Sequence, residues 1–384
     1  MEARAKYVQF SKNLAKIGDN QISEHQKRYT NNSYPTVSVI IATYKRGHLL
    51  KHVLDALTNQ TREDFEVLMI VKPSGDETED VIEKYSEKLK MKVIIQSQGY
   101  IIDAYNLGLN SAKGEIIIFL DDDAVPFPNL IQSYIVSYTT PGVGGVAGDV
   151  IPVAFRENNF CQFEGNPSEV IPVNKNQSSE TAFTRKLSSR PLKGLEGYLL
   201  YLSKAGFVSI NYDVANQALS RPVNSLLAKG ANMSVSSKAC AGFKFPSSWV
   251  LGLTFEQYLG WYLWKKGYRV TFNPEIKAYH IHHGQSLSRH VKDSKKEAVL
   301  LTEDRLLFYR LYGSEPELSI TYRLVLLLHE TIIDIKSICL NKETFRIGRF
   351  KRKFYAELLG VRWLIYKKLR SNYSPLADLE RLLH

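Results

Sequence analysis

A chain of 384 residues with 44% hydrophobic and 23% charged content has the makeup of an ordinary globular protein, which excludes disorder as its general state. Its three cysteines, Cys161, Cys240 and Cys339, are far apart and odd in number, so neither a disulfide framework nor a CxxC zinc pattern is present. The net charge is +11, and +7 of it falls between Ser319 and His384, a local basicity suited to an anionic partner.

Residues 1–35 read as a helical extension, charged throughout and without the apolar core of a secretory signal, so the expected location is the cytoplasm. Strands and helices then alternate. VSVIIAT (Val37 to Thr43) is a short, β-branched apolar run, as a strand buried on both faces should be. Leu49, Leu50, Val53, Leu54 and Leu57 follow at three- and four-residue spacing and predict a helix. The unit repeats with a strand over Phe65 to Val71 and a helix from about Thr78 to Leu89. A strand over Lys92 to Gln96, a helix ending near Lys113, and a strand over Glu115 to Leu120 complete the run. Such alternation predicts an α/β domain, a mostly parallel sheet flanked by helices.

That domain is expected to span 36–295. Residues 150–228, rich in Ser, Asn and Pro, read as an inserted, partly irregular segment over the crevice. Residues 296–384 read as a basic helical C-terminal region. Its best apolar stretch, Ile320 to Leu340, is interrupted by Arg323, His329, Glu330, Asp334 and Lys336, which argues against a membrane span.

In parallel sheets, ligands bind outside the carboxyl ends of the strands, and Asp121, Asp122 and Asp123 stand at that end of the last strand. Three adjacent carboxylates repel one another, and a cation such as Mg²⁺ or Mn²⁺ between them and a nucleotide phosphate would relieve the repulsion. An Asp-rich turn before Pro126 and Pro128 is an equal reading of the triplet alone. Removal of one carboxylate from a repulsive cluster is expected to cost little stability.

In order along the chain, VSVIIATYKRGHLLKHVLDALTNQT, NSAKGEIIIFLDDDAVPFPNL, KGANMSVSSKACAGF and TFEQYLGWYLWKKGYRVTFNPEIKAYHIHH resemble the sequence blocks of glycosyltransferase family 2 over roughly residues 36–290. The resemblance implies the GT-A fold, a Rossmann-like sheet, and an inverting transferase that takes a nucleotide-sugar donor and Mn²⁺ or Mg²⁺. It implies that Asp121 and Asp122 belong to the nucleotide-sugar site, that Asp123 coordinates the metal, and that Thr43, Tyr44 and Arg46 line the nucleotide pocket. Tyr44 could stack on a base and Arg46 could pair with a phosphate, although an ordinary strand-to-helix turn would also contain them.

Val71-Lys72-Pro73-Ser74-Gly75-Asp76 departs from the acidic pair usual in the family after the second strand, so the nucleotide stays unnamed; Lys72 is a candidate phosphate contact, with a solvated lysine as an equal reading. Glu256 matches the position of the family's aspartate base, one methylene longer; its other reading is a carboxylate stabilising a helix N-terminus. Of the cluster His280, His282 and His283, His280 is the better match to a histidine that some members present to the metal or diphosphate, and a histidine packed at a strand end is the alternative. Asn232 falls in a segment bordering the acceptor side. Trp249 offers a sugar platform, whereas Trp261 and Trp264 fit the core better.

The implied acceptor is a glycan or lipid-linked glycan. The stretch from about Phe345 to Arg370 interleaves lysines and arginines with Phe350, Phe354, Trp363 and Tyr366, a composition suited to the cytoplasmic face of an anionic membrane or to packing on the catalytic domain. A second reading is a non-catalytic protein that binds glycan or nucleic acid through a degenerate transferase fold and the basic tail. No nucleic-acid-binding module is recognisable in the sequence.

Overall fold

The computed structural model describes residues 36–157, 159–163, 167–171, 190–247, 249–283, 294–341, 344–368 and 376–383, so the expected N-terminal helical extension lies outside the described residues. Strand β1 (Val37–Thr43) leads into helix α1 (Gly47–Thr58), β2 (Phe65–Val71) into α2 (Thr78–Ser86), and β3 (Met91–Ile95) into α3 (Ile101–Ser111). β1 and β2 are buried almost throughout, as continuous β-branched runs covered by helices must be. Next come β4 (Ile116–Leu120), β5 (Ala124–Pro126), α4 (Leu130–Ser137), β6 (Val143–Arg156) and β7 (Asn159–Gln162). They are followed by β8 (Leu200–Leu202), β9 (Val208–Ile210), α5 (Tyr212–Ala218) and β10 (Val223–Asn224). β11 (Asn232–Ser236), α6 (Phe255–Lys265) and β12 (Arg269–Ile281) complete the α/β part.

The main sheet has the order β10-β12-β6-β11-β4-β1-β2-β3. β3, β2, β1, β4, β6 and β12 share one direction, and β10 and β11 run against their neighbours. The sheet is therefore mostly parallel. Its register pairs Ile40 with Phe119, so the turn after Thr43 and the acidic triplet after Leu120 emerge side by side.

The stretch expected to be irregular begins as sheet. β6 continues through Val150 to Arg156, because Val150 to Val153 pair with Ala278 to Ile281 of β12 and β7 folds back on its end. Residues 172–189 of that stretch lie outside the described residues.

The helical region expected after residue 296 is α7 (Ser294–Leu311), α8 (Ile320–Asn341), α9 (Thr344–Lys368) and α10 (Leu376–Leu383). α9 packs closely on α7 because Gly360 has no side chain: a Cβ there would stand 2.1 Å from the Tyr309 ring. Val250, Leu251, Val299, Leu306 and Leu379 form a small second core, which ties α7 and α10 to the loop before α6.

Candidate functional site

The acidic triplet receives positive partners from both sides. Arg46, from the turn after β1, places Nη1 2.8 Å from Oδ1 of Asp122 and 3.2 Å from Oδ2 of Asp123. The preceding Lys45 has φ 58°, a left-handed conformation uncommon for a residue with a side chain, and it helps turn the chain sharply between strand and helix. The Thr43 hydroxyl, buried at the end of β1, favours the charged form of Asp122. Burial nonetheless pushes the Asp122 carboxyl up to about 6, against the pull of Arg46. Asp121 is likewise pushed up, by burial and by the charge of Asp123, and it accepts a 3.1 Å hydrogen bond from the buried Tyr105 hydroxyl.

β12 brings the histidines. Its short antiparallel pairing with β5 sets His280 opposite Ala124, and the Ile281 amide donates to the Asp123 carbonyl. His280 Nε2 consequently lies 3.0 Å from Asp123 Oδ1, and His283 Nε2 lies 2.9 Å from Asp123 Oδ2. Glu169, held beside β6 by its own amide, stands 3.3 Å from His280 Nδ1 and 2.9 Å from His282 Nε2. Burial opposes charge on Asp123, but His280, His283 and Arg46 outweigh it and hold that carboxyl well below the usual range. Burial also opposes charge on His280, yet Asp123 and Glu169 raise it to about 9.

One donor atom each from Asp121, Asp123 and His280 lie within 4.8 Å of one another. Two carboxylate oxygens and an imidazole nitrogen at that spacing fit a hard or borderline divalent cation. Glu169, oriented against His280 Nδ1, is the kind of outer partner that fixes a ligating imidazole. Sequence reasoning missed Glu169 and Tyr105, and it passed over His283 in favour of His280.

Glu256 opens α6, where its Oε1 accepts a 3.0 Å hydrogen bond from the Gly230 amide. Burial pushes it up to about 7, Lys229 and the Gly230 bond pull it down, and Asp121 is close enough to add to the rise. The residue capping this helix, Thr254, has φ 70°. Strain of that kind persists only where the surroundings hold it. Glu303 of α7 does so, accepting from the amides of Val250 and Leu251 on Oε1 and from Leu253 on Oε2 at 2.5–2.9 Å. Glu303 sits on the apolar face of its helix, four residues after Val299 and three before Leu306, and a carboxylate in that position was the available sequence signal.

Glu303→Gln tests this clamp. An amide turned towards one of the three N–H donors leaves it unpaired, at a cost of about 1–3 kcal/mol. Thermal unfolding should show a lowered Tm, and an unchanged midpoint would remove the clamp.

The remaining candidates divide. Tyr44 is exposed beside the triplet's turn, with the Lys72 ammonium 5.6 Å from its ring. Lys72 donates to the Gly99 carbonyl and also lies over Tyr100. Asn232 corrects the expectation of an acceptor contact: it is fully buried in β11, accepts from Tyr134 Oη, and donates to the carbonyls of Asp149 and Ile276. With its amide spent on β6, β12 and α4, it ties the sheet together. Trp249 is also core, buried, with Nε1 bonded to the Leu253 carbonyl and the Arg310 guanidinium 3.6 Å from a ring centroid.

Residues 38–184 match the family model for glycosyl transferase family 2. The chain is 36% identical over 111 residues to validoxylamine A glucosyltransferase of Streptomyces hygroscopicus subsp. jinggangensis, covering 28% of this chain and 26% of that one. It is 30% identical over 136 residues to poly(ribitol-phosphate) beta-glucosyltransferase of Bacillus spizizenii, covering 32% of this chain and 22% of the relative. The match thus spans about a quarter of the length of these curated relatives. Among solved structures, residues 1–349 of TarS from S. aureus superpose with a TM-score of 0.48 at 17% identity, covering 91% of this chain and 88% of that one.

Proposed function

We propose that this chain, whose residues 38–184 carry a glycosyltransferase family 2 domain, is an inverting glycosyltransferase that moves one sugar from a nucleotide-diphosphate-sugar to a hydroxyl of a glycan or lipid-linked glycan. The observation that carries the reading is the convergence of Asp121, Asp123 and His280 at one end of the sheet, with the half-buried base candidate Glu256 near Asp121. Mn²⁺ or Mg²⁺ held by Asp123 and His280, with Asp121 beside them, would act as a Lewis acid towards the departing diphosphate.

Glu256 takes the proton of the acceptor hydroxyl as its oxygen attacks the anomeric carbon. The bond from that carbon to the diphosphate oxygen breaks on the opposite face, which inverts the centre and frees the nucleoside diphosphate. Arg46 exchanges its carboxylate partners for the diphosphate, Asp121 and Asp122 meet the nucleotide-sugar, and Tyr44 stacks on the base beside Lys72. The two glucosyltransferase relatives support a hexose donor.

The test is a screen of nucleotide-sugars for hydrolysis and thermal shift, with and without Mn²⁺ or Mg²⁺. One donor should raise Tm and be hydrolysed slowly, both only with metal. A screen with no metal-dependent donor would refute the reading. Within it, Tyr44→Ala should weaken that donor by about five- to a hundredfold, the worth of one base stacked on an aromatic ring. Calorimetry with an unchanged Kd would place the base elsewhere.

A further inference from the structure

The hairpin of α8 and α9 is built with charge inside and apolar side chains outside. On α8, Leu324, Val325, Leu328, Ile332 and Ile335 recur at helical spacing along one face and are 38–62% exposed. On α9, Phe354, Tyr355, Leu358, Val361 and Ile365 form a second such face, 42–60% exposed. The inward faces carry the ions. Arg323 of α8 is fully buried, donates to Glu357 of α9 at 2.6 Å and to the Ala205 carbonyl, and lies over the Phe207 ring. Arg305 and the Tyr309 hydroxyl of α7 complete the shell around Glu357.

A helix facing water does the opposite, and two neighbouring apolar stripes of this length mark an interaction surface. The charge on α9 identifies the partner. It has eight lysines and arginines and one acid, Glu357, which is spent on the buried arginines; Arg352 and Arg362 pair with Glu297 of α7 and Asp378 of α10, which leaves a cationic excess on the helix. Lys351 and Arg362 stand on the same exposed face as Phe354 and Leu358. A second copy placed against this face would bring like charges together, whereas an anionic bilayer meets both its apolar and its cationic groups. No helix among the described residues is long and apolar enough to cross a membrane, so the hairpin would lie on it.

We propose that the outward face of α8 and α9 docks the protein on an anionic lipid surface, with Leu328 and Leu358 entering the interface and Lys351 among the groups that meet the lipid phosphates. The inference does not depend on the transferase reading.

Sedimentation of the full-length chain with phosphatidylglycerol–phosphatidylcholine vesicles, at low and high salt and without donor, tests it. The wild type should sediment at low salt and be released by high salt. The double substitution Leu328→Glu, Leu358→Glu should lower the bound fraction about tenfold or more with unchanged circular dichroism, since both side chains are exposed in the free protein. Lys351→Glu should weaken binding at unchanged fold, and it reads the same surface should the double variant unfold. Wild-type protein that ignores these vesicles at low salt would overturn the proposal, as would binding indifferent to all three substitutions. A solution dimer dispersed by the double substitution would assign the face to a second copy instead. Because no donor is present, none of these outcomes bears on whether the chain transfers sugar.

Discussion

Replacement of Glu256 by glutamine should leave donor affinity close to wild type and slow transfer by about a hundredfold or more. Glutamine keeps the shape, and its carbonyl oxygen can still accept from the Gly230 amide, so the strained start of α6 survives. The capacity to take a proton is what disappears. The sign of the pH dependence follows from burial, which disfavours the carboxylate and raises Glu256 to about 7. Below that pH the group is protonated and cannot act as a base. The wild-type kcat/KM, which reports the free enzyme, should therefore climb as pH rises through about 7 and then level off, while the residual kcat/KM of Glu256→Gln loses that rise. Initial rates across pH, with donor Kd from calorimetry, separate the two effects. Transfer by the variant at the wild-type rate would remove Glu256 from the mechanism.

Elements whose burial is set by local pattern are legible in the amino-acid sequence alone. Val37–Thr43 and Phe65–Val71 are continuous apolar runs, and they form strands over the residues that the pattern marks. The acidic triplet can be placed for the same reason, since the carboxyl end of a buried parallel strand is a location as well as a composition. What pairs with that triplet is less legible. Glu169 lies in a stretch rich in polar residues with no period to read, and it meets His280 only because β6 and β12 pair across more than a hundred residues.

Asn232 shows the converse error. A polar residue in a short motif looks like a contact for a ligand until the sheet is assembled, whereupon its amide is found satisfying three buried partners. Arg323 carries a similar lesson. In sequence it is a charge interrupting an apolar stretch and arguing against a membrane span. In the fold that charge is turned inward against Glu357 and the apolar residues outward. Hydropathy averaged along the chain does not report which face a helix presents.

Asp123→Ala should abolish the part of donor affinity that depends on metal. The structure changes what else to expect of it. Read as one of three repelling carboxylates, Asp123 would be lost at little cost to the fold. It is instead the common partner of His280, His283 and Arg46, which hold it charged against burial. Its depressed pKa means that this stabilisation is present above the ordinary aspartate range, near 4, and is lost as pH falls below it. At neutral pH the alanine variant should therefore unfold at a lower temperature, by an amount softened because Glu169 and Asp122 remain to receive His280 and Arg46. Asp123→Asn separates stability from chemistry. Its amide oxygen can still accept from one histidine, so more of the Tm should return, but the charge that would hold a divalent cation does not. Calorimetry of donor binding with and without Mn²⁺ should then give the same weak affinity for both variants. If either variant kept a wild-type gain on adding metal, the cation would have to be held without Asp123, and the group formed with Asp121 and His280 would not be its site.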